Sequence, residues 1–503
     1  MQSKHFRNLL LLCCLIGGGS LYSSMTVAQQ TIEHVLIITV DGLRPDAITT
    51  LGETGAPHLN RLLKEGSSTL NARTDHDYTN TIPNHTSMIT GRGVSGATGH
   101  NYTLNYVLDT GTLHEHKKKY VASLFDTAHD HGLSTGLFAS KLKFNIFTRS
   151  YGDEFANPDT TGDDNGKNKL DHSFLSNKNS VETFSEFFTV WKDSPLNLTF
   201  LHLAETDKVG HASSWDLNEG SKYIAAVKQV DYALGLILDD LDKRPELKEK
   251  TVLILTADHG GIKTNHTNNS ISFNYTIPFI VYGAGVTAGT DLYQINMDTY
   301  YVNPFGSRIN YNTPYQPIRN SDAANLALKL LGLPAITGST IGQKQVLKVT
   351  EHGIALGLNK AFSSTETKFS PVLNSIAGDQ STHTPTPNIE MLNLGANVSI
   401  DPAHQGKEAR IIRAIHFIAD EGDNNVWLYY EGDHLVTWNG DLNALIAENT
   451  EMRTLKAEEY IQGLSGNFAG MAGLFDVYIG YYLMDEELIV FNGGNPIHFS
   501  VPK

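Results

Sequence analysis

Cysteine is nearly absent from this chain. There are two in 503 residues, Cys13 and Cys14, and both lie in an N-terminal stretch with the marks of a secretory leader. Lys4 and Arg7 supply its basic end, residues 9–16 its apolar centre, and Thr26-Val27-Ala28 a small-residue cleavage site. The leader is therefore read as residues 1–28, with the mature start near Gln29 and a periplasmic or extracellular destination. A lipid anchor on either cysteine would want a small residue just before it, and Leu11 and Leu12 stand there instead. The mature chain has no thiol, so disulfides cannot staple an exported fold. A packed core and bound metal are expected to hold it.

Long apolar runs are missing as well. No stretch after the leader approaches the ~20 residues needed to cross a bilayer, and the leader's own run is too short. Positive charge is in deficit: 38 Lys and Arg against 54 Asp and Glu leave a formal charge of −16, before Lys4 and Arg7 are lost. So acidic a surface argues against general nucleic-acid binding. It leaves an anionic substrate open, because metal ions reverse the local field. There is no internal repeat and no EF-hand spacing, although Asp420, Glu421 and Asp423 form a small acidic group.

What is present is organised by three apolar runs that end in acid. Residues 34–40 read as a buried strand ending at Asp41-Gly42. Residues 198–207 read as a second ending at Asp207, and 252–256 as a third followed by Asp258-His259-Gly260-Gly261. In open α/β sheets, ligands gather beyond the carboxyl ends of the strands. Each acid has an ordinary reading as a turn former or cap. A carboxylate and an imidazole at one strand end, with His266 a short loop on, also suit a divalent metal. Asp207 and His211 are four apart; on a helical turn that spacing puts both on one face, and elsewhere it is a surface pair.

Between the first two runs lies Tyr78-Thr79-Asn80-Thr81-Ile82-Pro83-Asn84-His85. Pro83 suits the first turn of a helix and Gly91 its end. Thr81 then falls just before a helix N-terminus, where free N–H groups and the dipole favour an anion. Its hydroxyl reads either as a cap or as a nucleophile for a phosphoryl group. Asn101 follows after a loop, its amide placed to donate to a phosphoryl oxygen. Residues 136–144 read as a strand whose alternation puts Lys141 and Lys143 on one side. The pair is either a solvated strand end or a grip on an anion.

Taken together, Asp41, Thr81 before Ile82-Pro83-Asn84-His85, Asp207-x-x-x-His211 and Asp258-His259-Gly260 resemble the alkaline phosphatase superfamily. The likeness is to its type I phosphodiesterase/nucleotide pyrophosphatase branch and to relatives with a threonine nucleophile, and it runs over residues 31–338. It implies an α/β fold, a mostly parallel central sheet flanked by helices, with two zinc ions at the carboxyl ends of the strands. One ion would be held by Asp41, Asp258, His259 and the Thr81 oxygen, the other by Asp207, His211 and His266. His266 has rivals in His352, His383 and His404. It alone precedes the strand at 277–282 and the helix at 322–331 that follow the third histidine in that family. Mixed His and Asp ligands suit zinc.

The resemblance further implies attack by Thr81 on a small phosphorylated substrate, a phospho-threonine intermediate, and help from Asn101. In such relatives a basic pair like Lys141 and Lys143 grips the extra charge of a phosphomonoester or a substrate carboxylate. The stretch from His259 to His266 is shorter than in nucleotide pyrophosphatases, which weakens the case for their nucleotide substrates. The expected activity is hydrolysis of phosphomonoesters or similar dianions. Phosphodiester hydrolysis is the alternative, and a non-catalytic binding protein with the same fold the second.

The remaining sequence reads as framework. Segments 57–66, 223–241 and 322–331 have the spacing of packing helices, with Asp231 solvated or hydrogen-bonded inside the second. The expected domains are a catalytic unit over 29–361, a linker rich in Ser, Thr, Pro and Gly over 362–387, and a β-rich accessory domain over 388–503. The last should carry strands within 426–438 and 475–499 and a helix at 452–462. Trp427, Tyr429, Tyr430 and Trp438 read as its core rather than as a binding surface.

Overall fold

The computed structural model describes residues 32–107, 110–152, 167–293, 295–296, 300, 304, 306–313, 316–343, 346–349, 354–357, 362–365, 367–373, 392–419, 425–431, 434–468, 471, 473–492 and 497–501. The leader with Cys13 and Cys14, the histidines at 352 and 383, and the acidic group at 420–423 lie outside the described residues. The chain divides into two compact units, one from residues 28–293 and 299–349, the other from 350–503 with 294–298.

The first unit is built on one sheet. Its strands are β1 (His34–Val40), β2 (Ser67–Arg73), β3 (Thr135–Ala139), β4 (His172–Leu175), β5 (Leu198–Leu203), β6 (Thr251–Thr256), β7 (Thr276–Gly283) and β8 (Thr290–Asp291). They lie in the order β4-β3-β5-β1-β6-β7-β2-β8. Pairing is parallel from β4 through β6 and between β2 and β8; β7 runs antiparallel to both β6 and β2. The three central strands, β5, β1 and β6, show almost no polar alternation and are buried along their length. Helices on both faces demand that, since neither face is left to water.

The helix Lys222–Lys243 illustrates the covering layer. Ser221 caps it, and Ile224, Val227, Val230, Leu234, Ile237, Leu238 and Leu241 are buried on one face. Each such aliphatic side chain contributes roughly 1.5–3 kcal/mol on burial. Asp231 on the same helix is buried and accepts the Leu59 backbone N–H at 2.7 Å. No helix among the described residues is long and apolar enough to cross a membrane.

The second unit is antiparallel β structure, with a nine-stranded and a three-stranded sheet among its described residues. Two readings need correction. The span expected as a linker, 362–387, opens with the strands Phe362–Ser364 and Lys368–Leu373, and residues 374–387 lie outside the described residues. Phe369 is buried, and its strand pairs with Leu392–Ser399; composition alone conceals that pairing. The helix expected at 452–462 is displaced upstream to Leu442–Glu448, where Asp441 caps it. Residues 452–462 instead enter the strands Met452–Thr454 and Glu458–Gly466, because Ile461 and Leu464 have a sheet core to fill. Trp438 is buried, and Trp427, Tyr429 and Tyr430 pack partly buried against the two cores.

Candidate active site

The register of the central strands decides where the acids meet. Val40 pairs with Leu203 and Thr39 with Thr256, so β1, β5 and β6 end at one level. Asp41 follows β1 directly. Asp207 and His211 sit one turn apart on the helix Glu205–Ser213, which starts just after β5. Asp258 and His259 follow β6, and Gly42 N–H donates to Asp258 Oδ1 at 3.1 Å, tying the first loop to the third. Thr79 receives the His266 ring, whose Nδ1 donates to its carbonyl at 2.6 Å.

Three imidazoles are oriented alike. His259 Nδ1 donates to Gly260 O at 2.8 Å, His211 Nδ1 to Thr264 O at 2.9 Å, and His266 Nδ1 to Thr79 O. A carbonyl can only accept, so each Nδ1 carries a proton and Nε2 is the nitrogen left to offer a lone pair to a metal. The lone pairs converge. His211 Nε2 and His266 Nε2 are 3.1 Å apart, and Asp207 Oδ1 is 3.4 Å from the first and 3.7 Å from the second. His259 Nε2 is 3.1 Å from Asp258 Oδ2, 3.5 Å from Asp41 Oδ1 and 3.9 Å from Asp207 Oδ1.

Four of these atoms, Asp41 Oδ1, Asp207 Oδ1, Asp258 Oδ2 and His259 Nε2, are buried without a hydrogen-bond partner. Leaving such groups unmet is costly. A divalent cation satisfies electron-pair donor atoms facing one another, and the set, carboxylate oxygen with imidazole nitrogen, is one that divalent metal ions accept. The electrostatics agree. Burial lowers the His259 pKa, but Asp258, Asp207 and Asp41 outweigh it and raise the imidazole to about 9. Burial opposes ionisation of Asp41, yet Lys141 and His202 hold it well below the carboxylate range. The site is thus short of positive charge. Its residues form two groups able to hold a metal ion, Asp207 with His211 and His266, and Asp41 with Asp207 and His259. Asp207 reaches both, whereas the resemblance assigned it to one.

Thr81 is the first residue of the helix Thr81–Thr90, one position further in than the sequence suggested. Asn80 holds the cap position without a side-chain bond. The backbone around Thr81 is anchored on both sides. Thr79 is bonded to His266, and His85 Nδ1 donates to Thr81 O at 2.7 Å while lying 3.7 Å from Asp258 Oδ2. Burial lowers His85 to about 3, so it stays neutral and accepts from Thr39 Oγ1 at 3.0 Å.

The lysine pair converges on the site, but not by strand alternation. β3 ends at Ala139, and Leu142–Phe144 form a 3-10 turn that buries Phe144 against the rings of His85 and His202. Lys141 is drawn inward, its Nζ 2.7 Å from Asp41 Oδ2 and 2.6 Å from Asp207 Oδ2. Lys143 makes no ion pair among the described residues, and its Nζ donates to Asn105 Oδ1 at 3.0 Å. Burial, then the charge of Lys141, lowers it to about 8.

Asn101 does not point at this site. It takes a left-handed backbone (φ 61°). With its amide nitrogen facing the carbonyls, it donates to Val94 O at 3.2 Å and Gly96 O at 2.9 Å and accepts from Lys117 Nζ at 3.1 Å. Asn105, which the sequence reading passed over, stands where Asn101 was expected. Its Oδ1 accepts from Ile82 N–H at 3.1 Å and from Lys143, leaving its amide nitrogen to donate. His202 was missed too. Ser140 N–H donates to its Nδ1 at 3.2 Å, so its Nε2–H donates to Asp41 Oδ2 at 2.8 Å. A histidine inside the mostly apolar run of β5 was the available signal. His404, a rival of His266, is bonded to Tyr481 in the second unit.

Residues 35–314 match the sequence family described as type I phosphodiesterase / nucleotide pyrophosphatase. The chain belongs to that family. This type I phosphodiesterase-family protein is accordingly a phosphoester hydrolase. No curated protein matches it. Among solved structures, murine ectonucleotide pyrophosphatase / phosphodiesterase 5 aligns with 60% of this chain and 96% of its own, at 16% identity and a TM-score of 0.41. An alkaline phosphatase superfamily protein from Vibrio parahaemolyticus aligns over 83% of this chain and 85% of its own, at 14% identity and a TM-score of 0.39. A variant of the alkaline phosphatase PafA aligns over 63% and 99%, at 13% identity and a TM-score of 0.41.

Proposed function

We propose that this hydrolase is an exported two-zinc enzyme that cleaves phosphomonoesters, or similar dianions, through a phospho-threonine at Thr81. The observation that carries the dianion preference is Lys143: an ammonium with no carboxylate partner among the described residues, beside the amide nitrogen of Asn105, which donates to none of them. Lys141 is already neutralised by Asp41 and Asp207, so Lys143 supplies the spare positive charge.

Asp41, Asp258, His259, Asp207, His211 and His266 would hold the metal. Bound there, divalent ions supply charge that eases ionisation of a hydroxyl or a water and offsets charge on the ester oxygens. The chain does the rest. Thr81, fixed by the bonds of Thr79 and His85, presents its oxygen from the first turn of a helix whose dipole favours the anion. Its Oγ1 forms a bond to phosphorus as the ester P–O bond breaks, and the alcohol leaves with a proton. Asn105 Nδ2 and Lys143 Nζ donate to nonbridging oxygens that gain charge in the transition state. In the second step a water oxygen bonds to phosphorus, the Thr81 O–P bond breaks, and inorganic phosphate departs. His211, half-exposed among otherwise buried ligands, faces the solvent side, from which that water enters.

The family match favours a second reading, hydrolysis of phosphodiesters. Rates on p-nitrophenyl phosphate and bis-p-nitrophenyl phosphate separate the two. The proposal expects faster turnover of the monoester, loss of both activities in Thr81→Ala, and a phosphorylated Thr81 peptide in acid-quenched mass spectra. Higher kcat/KM on the diester would replace the first reading by the second. Full activity in Thr81→Ala would end both.

A further inference from the structure

Three glycines next to the ligands share one neighbour. A Cβ on Gly210, which precedes His211, would lie 2.4 Å from Trp215 Cε2. A Cβ on Gly261, two residues past His259, would lie 2.2 Å from the same atom. A Cβ on Gly42, which follows Asp41, would lie 3.2 Å from Trp215 Cζ2. Real Cβ atoms essentially never come within 3.0 Å of another group, so one buried indole occupies the space that Gly210 and Gly261 leave by having no side chain, and Gly42, whose Cβ would also meet Asp207 Cα at 3.1 Å, packs tightly against the same ring. Its edge contacts continue to the ligands themselves: the ring stands edge-on to His211 at 5.3 Å and to His266 at 5.9 Å between centroids.

The indole is held as firmly as it holds. Trp215 Nε1 donates to Gly42 O at 2.8 Å, and Trp215 N donates to Lys263 O at 2.8 Å. Gly42 O also receives Tyr223 OH at 2.9 Å, and Arg44 Nη1 reaches Gly261 O at 3.3 Å. Ser214, just before Trp215, has φ 78° and ψ 151°, a region nearly reserved for glycine. A non-glycine residue there is strained. The surrounding packing offsets that strain and keeps the chain turned so that the indole points under the site.

We infer that Trp215 is a positioning residue. It sets the spacing of the four ligand-bearing segments, at Asp41, His211, His259 and His266, by filling the gap among their glycines, and so it governs metal affinity without touching substrate. This rests on the metal-site reading above.

The test is binding of Co2+ to the full chain, followed by chelator competition and by the visible spectrum of the bound ion. It compares wild type, Trp215→Phe and Trp215→Leu. Affinity should fall roughly ten- to a hundredfold in Trp215→Leu, as for other residues that orient ligands, with an altered spectrum. Trp215→Phe should lie between. Gly261→Ala should weaken binding in the wild-type background and much less in Trp215→Leu, where the added methyl has room. A Trp215→Leu protein that is less stable yet binds Co2+ with wild-type affinity and spectrum would overturn the inference and reduce the indole to framework. So would an equal penalty for Gly261→Ala in both backgrounds. If the wild type itself binds no Co2+, the metal reading fails, and this inference with it; that result is distinct, because it needs no variant.

Discussion

Lys141 and Asp207 form a buried ion pair, with Nζ 2.6 Å from Oδ2, and the same ammonium lies 2.7 Å from Asp41 Oδ2. One lysine therefore balances acids from both metal-binding groups. Removing it with Lys141→Met leaves buried carboxylates without a counter-charge, which in general destabilises by roughly 3–5 kcal/mol. In chelator, urea unfolding of Lys141→Met should show a loss of about that size. With Zn2+ added the gap to wild type should shrink, because the ion can neutralise the same oxygens. An equal deficit with and without zinc would mean that lysine and metal do not share those acids.

Lys143 gives the pH dependence. Burial and the charge of Lys141 lower it to about 8. Below that pH it is charged and available to the substrate, and above it the charge is lost. The KM for p-nitrophenyl phosphate should rise as pH passes about 8, by up to about tenfold per unit, and Lys143→Met should lack that limb. Stability should move the other way. The unfolded chain holds this proton more tightly than the folded one, so this group adds stability as pH rises from about 8 toward the ordinary lysine value. Steady-state kinetics across pH 6.5–9.5 check the first claim. A pH-independent KM in wild type would remove Lys143 from substrate binding.

His202 should matter although it reaches only Asp41. Its tautomer is set by Ser140 N–H, which leaves Nε2–H to fix Asp41 Oδ2 at 2.8 Å. His202→Leu keeps the apolar contact of β5 but removes one of the two side-chain donors to that oxygen, the other being Lys141. Metal affinity should drop roughly ten- to a hundredfold, measured by chelator competition. His202→Gln, which restores a donor, should recover part of it. Unchanged affinity in His202→Leu would mean that Lys141 and the backbone orient Asp41 without His202.

What could be read in advance follows from physical range. Strand ends are local: the buried runs before Asp41, Asp207 and Asp258 announce a parallel sheet, and the i, i+4 spacing of Asp207 and His211 announces a shared helical face. Both are visible in a few consecutive residues. The lysine turn is not, because it forms to bury Phe144 against His85 and His202, which come from other segments. Trp215 was equally hidden. The glycines it packs against come from three separate segments, and nothing near Gly42 or Gly261 in the sequence marks the ring beside them. In the second unit the strand Lys368–Leu373 was hidden by its composition, and its partner, Leu392–Ser399, is not adjacent to it in sequence.

The loop from Gly91 to Asn105 supplies the sharpest test of that difference. It has no periodicity, so the choice between its two asparagines cannot be made from spacing. The fold makes it through His100, which is buried on the preceding helix, with Nε2 3.1 Å from both Ser87 Oγ and Pro83 O, and Nδ1 accepting Tyr102 N–H at 3.0 Å. The chain is pinned there. Asn101 turns back to Val94 and Gly96, while Asn105 reaches the first turn of the Thr81 helix. Asn105→Ala should therefore lower kcat about 10²–10³-fold, the usual effect of deleting a donor to a developing oxyanion, with metal content unchanged. Asn101→Ala should leave kcat within about threefold of wild type and lower thermal stability modestly through the loosened loop. Kinetics and metal analysis on both variants decide it. A large loss of kcat in Asn101→Ala, with Asn105→Ala near wild type, would return the oxyanion role to the residue first read from the sequence.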